Sequence, residues 1–174
     1  MKGRIPLYDA HMSGSVSVQK EDPLGNVATQ LLRELSSDIA QRYFDLDDEG
    51  SGSFNLNEAL MPRSVFVVAR LDDQPVGCGA LRPIDHELAE VKRMYVSEGA
   101  RRFGIGRSIL EELERFAAEF DYRIIRLETG NRQPEAVALY EKYGFYRIPC
   151  FGKYIGNPVS MCFEKKVKLE LAKS

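Results

Sequence analysis

Residues 92–107 crowd five cations against one acid. Lys92, Arg93, Arg101, Arg102 and Arg107 face only Glu98, which leaves this stretch with a net charge of +4. An apolar run ending at Val96 leads into Arg101-x-x-Gly104-x-Gly106, after which apolar residues recur at helical spacing. The first N–H groups of a helix have no intrahelical acceptors, and the helix dipole adds partial positive charge there. Glycine lets an anion come close to those amides, so a strand, a glycine turn and a helix start predict a phosphate cradle. The same residues also read as an ordinary helix start carrying solvated arginines. Two nucleotide-binding patterns are excluded: no Lys-Ser/Thr pair follows the glycines, and the sixth position of a GxGxxG fingerprint is Ile109.

Other chemistry-bearing patterns are weaker. Asp45, Asp47, Glu49 and Gly50 fall at positions 1, 3, 5 and 6 of a calcium loop, but Leu56 stands where the twelfth position needs a bidentate glutamate. The stretch reads as a solvated acidic loop. His11 and His86 are too isolated for a histidine metal site, and no metal is expected. Cys78, Cys150 and Cys162 form no CxxC pair and follow no signal peptide, so reduced thiols and a cytoplasmic location are expected.

The elements that must hold these residues follow from periodicity. Val16–Gln19 alternates as a strand. Asp22-Pro23 offers a helix start that Gly25 delays, and Leu31, Leu32, Leu35, Ile39 and Tyr43 extend a helix to about Phe44. Val65–Leu71 and Val76–Leu81 form a hairpin, with Gly77 and Gly79 marking a bulge or a close backbone approach. Leu88–Val96 is the next strand. A helix from Ile105 to Phe120, a strand Ile124–Glu128, a helix Glu135–Tyr143 between Pro134 and Gly144, and strands Phe145–Ile148 and Val159–Lys166 complete the order. That order predicts an α/β (α+β mixed) domain, a mixed sheet flanked by helices.

The 174 residues are 44% hydrophobic and 29% charged, with a net charge of −2. This suits one domain rather than a disordered chain. No apolar run reaches the roughly 18–20 residues of a membrane span, and the acidic balance argues against nucleic acid. Residues 1–12 read either as native or as a cloning-derived leader, with 13–174 as the domain.

The chain resembles the GNAT superfamily of acyl-coenzyme A N-acyltransferases. Arg101-x-x-Gly104-x-Gly106 matches that family's Arg/Gln-x-x-Gly-x-Gly/Ala pyrophosphate motif, and Ala136-Val137-Ala138-Leu139-Tyr140-Glu141-Lys142-Tyr143-Gly144-Phe145 looks like its second signature. The 34-residue interval from Gly106 to Tyr140 leaves room for one helix and one strand. The similarity is best from Val65 to Val167. It implies a splayed sheet in which pantetheine lies beside the main chain of Met94, Tyr95 and Val96. Amides around Arg102, Phe103, Gly104, Ile105, Gly106, Arg107 and Ser108, with Arg101, would hold the pyrophosphate of acetyl-coenzyme A as co-substrate. The family often has asparagine seven residues before the tyrosine; here it is Gln133, with Asn131 close enough to compensate.

The resemblance also implies roles in acetyl transfer. A lysine-like amine, with a reference pKa near 10.4, arrives charged and needs a proton acceptor. Glu90 lies fourteen residues before Gly104, at the offset of the catalytic glutamate in some histone-type members. It reads either as the base or as a strand-end carboxylate paired with Lys92, with Asp85 or His86 as substitutes through water. Tyr140 takes the position of the proton donor to the departing sulfur, and the Met94 or Tyr95 N–H would serve an oxyanion. Cys78 and Cys162 sit in apolar strands, which favours direct transfer in a ternary complex over an acyl-enzyme.

Residues 20–60 carry a net charge of −6, and in this family the first helix walls the acceptor site. A small cationic amine or a peptide amine is therefore the expected acceptor. The alternative is a catalytically inactive domain that binds acyl-coenzyme A as a sensor. Exposed strand edges near the C-terminus are compatible with a homodimer.

Overall fold

The computed structural model describes residues 14–46 and 55–170. Residues 1–12 and the acidic run Asp47–Gly50 lie outside the described residues. In chain order the elements are β1 (Val16–Lys20), α1 (Asn26–Arg42), β2 (Val65–Leu71), β3 (Gln74–Pro83), β4 (Leu88–Val96), α2 (Ile105–Glu119), β5 (Ile124–Gly130), α3 (Pro134–Tyr143), β6 (Tyr146–Ile148) and β7 (Ser160–Lys166). They build one seven-stranded sheet in the order β1-β2-β3-β4-β5-β7-β6. Every pairing is antiparallel except β4 with β5. A parallel pair needs a long crossover, and α2 supplies it.

Alternation along the central strands sorts side chains to the two faces. Val65, Val67, Ala69 and Leu71 of β2 pack with Ile109, Leu113 and Ala117 of α2 and with Tyr140 and Phe145 beyond it. Phe66 and Val68 point the other way, joining Cys78 and Ala80 of β3 under Ala28 and Leu31 of α1. The first helix starts after a turn rather than at Pro23. Asp22 accepts from the Leu24 N–H through its carboxylate (2.9 Å) and from the Gly25 N–H through its carbonyl (3.1 Å), and Gly25 becomes the N-cap. The helix ends at Arg42, leaving Phe44 84% exposed.

Two irregularities in β4 create the site. Its pairing with β3 shifts register between Cys78↔Tyr95 and Ala80↔Lys92, so Arg93 and Met94 together stand opposite Gly79. Both features expected at the β3 glycines occur: Val76 beside Gly77 is an extra residue against β2, and a Cβ on Gly77 would stand 2.7 Å from the Tyr95 carbonyl oxygen. The bulge at Gly79 lies across from it, on β4, where Arg93 takes a left-handed φ of 57°. The second irregularity is a parting. β4 pairs with β5 only from Leu88↔Ile124 to Val91↔Leu127, although β4 runs on to Val96 and β5 to Gly130.

A buried ion pair clamps the helices that flank this gap. Glu114 of α2 is fully buried, and accepts from Lys165 Nζ (2.6 Å), Tyr143 Oη (2.7 Å) and the Lys168 N–H (2.9 Å). Burial works to raise its pKa, but these three donors outweigh it and hold the carboxyl below its ordinary value. The resulting stability is present above the unfolded carboxylate pKa and is lost as pH falls through the lower folded one. Lys165→Met should cost about 3–5 kcal/mol in urea unfolding, because it strands a buried charge. A loss below about 1 kcal/mol would assign the clamp to packing alone.

Candidate active site

Beside the end of β4, where it has left β5, lies a cleft of about 540 Å³. Its walls are the ends of β4 (Met94, Tyr95, Val96), the turn and first residues of α2 (Arg101 to Arg107 except Phe103), one side of α3 including Leu139 and Tyr140, and Leu35, Asp38 and Arg42 of α1. Gly104 forms the N-cap of α2 with a φ of +73°, and a Cβ there would meet nothing within 4 Å. The left-handed turn explains the glycine, and the open space leaves the helix amides accessible. Gly106 answers a different need: a Cβ would come 2.8 Å from Leu139 of α3, so its absence brings the two helices together. The cradle thus fits a phosphate group on both geometry and charge. Arg42, Arg101, Arg102, Arg107 and Lys142 line it against only Asp38 and Glu135.

The cations are positioned by specific contacts. Arg101 donates from Nε to the Val96 carbonyl (2.9 Å) and from Nη2 to Asp38 (3.2 Å), tying the end of β4 to α1. Arg42 bonds Asp38 (3.0 Å), pairs with Glu135 and donates to the Arg132 carbonyl (3.1 Å), closing α1 onto the loop before α3. Ser108 is less available. Its N–H and hydroxyl are both committed to the Gly104 carbonyl, at 3.1 and 3.2 Å, so the free amides end at Arg107. Phe103 is 51% exposed and lines neither this cleft nor the smaller cavity at the gap.

A smaller cavity of about 100 Å³ lies at the gap itself, between Val91–Met94 of β4 and Glu128–Gly130 of β5, and Leu35, Met94, Gln133 and Tyr140 line both spaces. Tyr140 packs edge-on against Phe145, with ring centroids 5.9 Å apart, and is 5% exposed. Among the described residues its hydroxyl has no hydrogen-bond partner. Burial, reinforced by the charge of Glu128, pushes its pKa up, so it stays protonated at neutral pH. Gln133 is the N-cap of α3 but its side chain caps nothing, which leaves its amide for the cleft. Asn131 lines neither space, and its N–H is held by the Val159 carbonyl (2.9 Å).

The structure does not bring Glu90 to either space. It is 1% exposed, and its two oxygens accept from Arg82 Nη2 (2.6 Å) and Tyr154 Oη (2.7 Å). Asp85 accepts from the Glu87 and Leu88 N–H groups and caps a turn (2.8 and 2.9 Å), and His86 is exposed. The carboxylate that does line the smaller cavity is Glu128 of β5. Burial raises its pKa, while a 2.9 Å hydrogen bond from Ser160 and the charge of Lys92 work against that rise. The sequence signal for Glu128 is only its place on an alternating strand; its proximity to Tyr140 depends on how α3 packs.

Of the six described acids of residues 20–60, four are neutralised by arginines. Glu21 pairs with Arg70 (2.7 Å), Asp38 with Arg42 and Arg101, Asp45 with Arg132, and Glu58 with Arg82 (3.4 Å). Burial pushes the Cys78 thiol up to about 12, and burial with Cys150 beside it takes Cys162 to about 12 as well. Neither is a thiolate at neutral pH. Among the described residues no group of three metal-ligating side chains occurs, and no helix is long and apolar enough to cross a membrane.

A parted parallel strand pair beside a glycine-capped helix defines the acyltransferase class whose motifs the sequence carries. The chain belongs to the acetyltransferase (GNAT) family, whose model matches residues 28–145. It is 37% identical over 153 residues to the IAA acetyltransferase of Azospirillum brasilense, spanning 87% of this chain and 97% of that relative. A solved structure from Klebsiella pneumoniae, assigned to the acyl-CoA N-acyltransferases, superposes with a TM-score of 0.72 at 26% identity, covering 89% of this chain and 99% of that one. A GNAT acetyltransferase from Elizabethkingia anophelis, solved with acetyl-CoA bound, shares the fold with a TM-score of 0.61 at 19% identity over 87% and 97% of the two chains. The protein is an N-acetyltransferase.

Gly104→Glu tests the cradle. It should raise the dissociation constant for acetyl-CoA about 100-fold or more in calorimetry, since a carboxylate would stand where the helix start favours an anion. The open space admits the side chain, while the left-handed φ adds strain of roughly 1–2 kcal/mol, so a thermal melt accompanies the titration; unchanged affinity would rule the cradle out.

Proposed function

We propose that the protein transfers an acetyl group from acetyl-CoA to a primary amine, directly and within a ternary complex. The observation that carries this reading is Tyr140, a largely buried phenol whose hydroxyl has no hydrogen-bond partner among the described residues and which lines both the cationic cleft and the cavity at the β4–β5 gap. Acetyl-CoA, when bound, supplies an activated acyl group and a thiol leaving group. The edge of β4 at Met94, Tyr95 and Val96, no longer paired with β5, offers main-chain groups to pantetheine as a neighbouring strand would, the Val96 carbonyl sharing its lone pairs with Arg101. The amides from Gly104 to Arg107 and the flanking arginines hold the pyrophosphate. The Met94 or Tyr95 N–H donates to the reacting carbonyl oxygen.

Glu128 is the proton acceptor in this reading. A carboxyl raised by burial approaches the operating pH, where a base is most effective. Tyr140, kept protonated, donates to the sulfur as it leaves. Glu90 acts from behind: its carboxylate fixes Tyr154, which in turn accepts from Lys92 Nζ at 2.6 Å. The raised thiol pKa values of Cys78 and Cys162 support direct transfer.

Thiol release measured with acetyl-CoA and a panel of primary amines tests the reading. Tyr140→Phe should lower kcat ~10²-fold with acetyl-CoA affinity kept within about twofold. Because the raised Glu128 pKa makes the wild-type rate fall as pH drops through it, Glu128→Gln should lower the rate ~10²-fold near neutrality and flatten that acidic limb. An unchanged limb would remove Glu128 from the proton transfer. Tight acetyl-CoA binding without thiol release on any amine would favour the sensor reading instead.

A further inference from the structure

Two thiols that the transfer mechanism does not use meet at one edge of the sheet. Cys150 follows β6, a three-residue edge strand, and Cys162 lies on β7 opposite Ile148. Their sulfurs are 2.9 Å apart, with the Cys162 S–H directed at Cys150 Sγ. A disulfide bond is about 2.05 Å long and forms only between side chains that already face each other. This pair meets that requirement on two strands that are already hydrogen-bonded. Cys78 stands apart, buried on β3 with its S–H on the Arg93 carbonyl (3.3 Å).

The two thiols are unequal. Cys150 is partly exposed, whereas Cys162 is fully buried. Burial and the hydrogen bond to Cys150 keep the proton on Cys162. A small oxidant therefore reaches Cys150 first, and Cys162 is in contact with whatever forms there.

From this contact we infer that Cys150 and Cys162 are a redox site, which hydrogen peroxide converts into a disulfide that restrains the acceptor side of the protein. The Cys150 thiolate attacks one peroxide oxygen. An S–O bond forms, the O–O bond breaks, and the departing hydroxide takes up the proton that Cys150 gave up. The Cys162 sulfur then attacks the sulfenic sulfur. The S–S bond forms, the S–O bond breaks, and the second hydroxide leaves as water with the Cys162 proton. The thiol pair is oxidised by loss of two hydrogens, and peroxide is reduced to two waters.

Cys150 opens the loop whose Tyr154 and Val159 line the cavity at the gap. The next residue, Phe151, packs edge-on against Tyr154 with ring centroids 5.4 Å apart. Tyr154 is in turn bonded to Lys92 (2.6 Å) and Glu90 (2.7 Å). A cavity of about 100 Å³ is small beside the roughly 300–1,000 Å³ of ordinary ligand pockets, so this loop must give way to admit an acceptor. No residue from 149 to 162 lines the cationic cleft. A bond from Cys150 to β7 therefore resists opening of the acceptor cavity and leaves the place of acetyl-CoA untouched. That consequence rests on the transferase reading above; the disulfide itself does not.

Peptide mapping of the wild-type protein tests the site. After brief treatment with hydrogen peroxide, alkylation and trypsin digestion without reductant, cleavage at Lys153 leaves Cys150 and Cys162 on separate peptides. These should stay joined, lighter by two hydrogens, and part on reduction, while Cys78 remains an alkylatable thiol. Once peroxide is removed, kcat/KM for amine acceptors should be severalfold lower than in the reduced protein and should recover on reduction. Acetyl-CoA affinity should not change. Cys150→Ser should keep the reduced rate and lose both the link and the response to peroxide. Unlinked peptides, or Cys150 carried on to a sulfinic acid, would overturn the site, and the wild-type map decides this even if the variant does not fold. Linked peptides with unchanged acceptor kinetics, or a response that persists in Cys150→Ser, would overturn the restraint. Absence of turnover on any amine would count against the transferase reading and leave the peptide map to judge the site.

Discussion

The structure depends on a pairing that stops. β4 and β5 hydrogen-bond as parallel neighbours up to Val91 and Leu127 and then separate, leaving backbone edges that neither strand satisfies for the other. Unpaired strand edges in a protein interior are costly unless something completes them. In this fold the separation sits beside the N-terminus of α2, which also has donors without acceptors. Two sets of unsatisfied backbone groups therefore face one cleft, and an extended ligand bearing amides and phosphates complements both. The side chains add charge and position, while the main chain provides much of the recognition.

Charge in this molecule is organised by long-range pairing rather than by segment. The acidic stretch at residues 20–60 looks like a negative wall along the chain, but four of its six described carboxylates reach arginines on β2, β3, the α2 turn and the loop before α3. Asp38 is the clearest case. It bridges Arg42 and Arg101, so an acid on α1 helps to orient two cations that line the cleft. The net charge near zero conceals a cationic cleft and a partly neutralised acidic stretch.

Much of the fold was legible in the sequence because its signals are local. Val65–Leu71 and Leu88–Val96 coincide with the observed strands, and Pro134 and Gly144 bracket α3 as their backbone preferences require. The glycine cradle and Tyr140 were legible for the same reason, each lying within one short motif. What stayed hidden depends on register between strands distant in sequence. Arg93 carries no glycine to announce its left-handed conformation, so the bulge was visible only through Gly79 on the neighbouring strand. Glu90 and Glu128 share the appearance of strand glutamates. Only packing shows that Arg82 and Tyr154 occupy the first while the second opens onto the cavity beside Tyr140. Arg42 and Lys142, both lining the cleft, lie outside the basic cluster and carried no signal of their own.

Hydrogen–deuterium exchange with and without acetyl-CoA tests the central claim most directly, because it reads the backbone groups on which the account rests. Saturating acetyl-CoA should slow exchange at residues 92–96 and at the Gly104–Arg107 amides. The already paired segment Leu88–Val91 should be unaffected. Protection confined to the α2 start, with residues 92–96 exchanging as before, would contradict the claim that the parted strands receive the ligand.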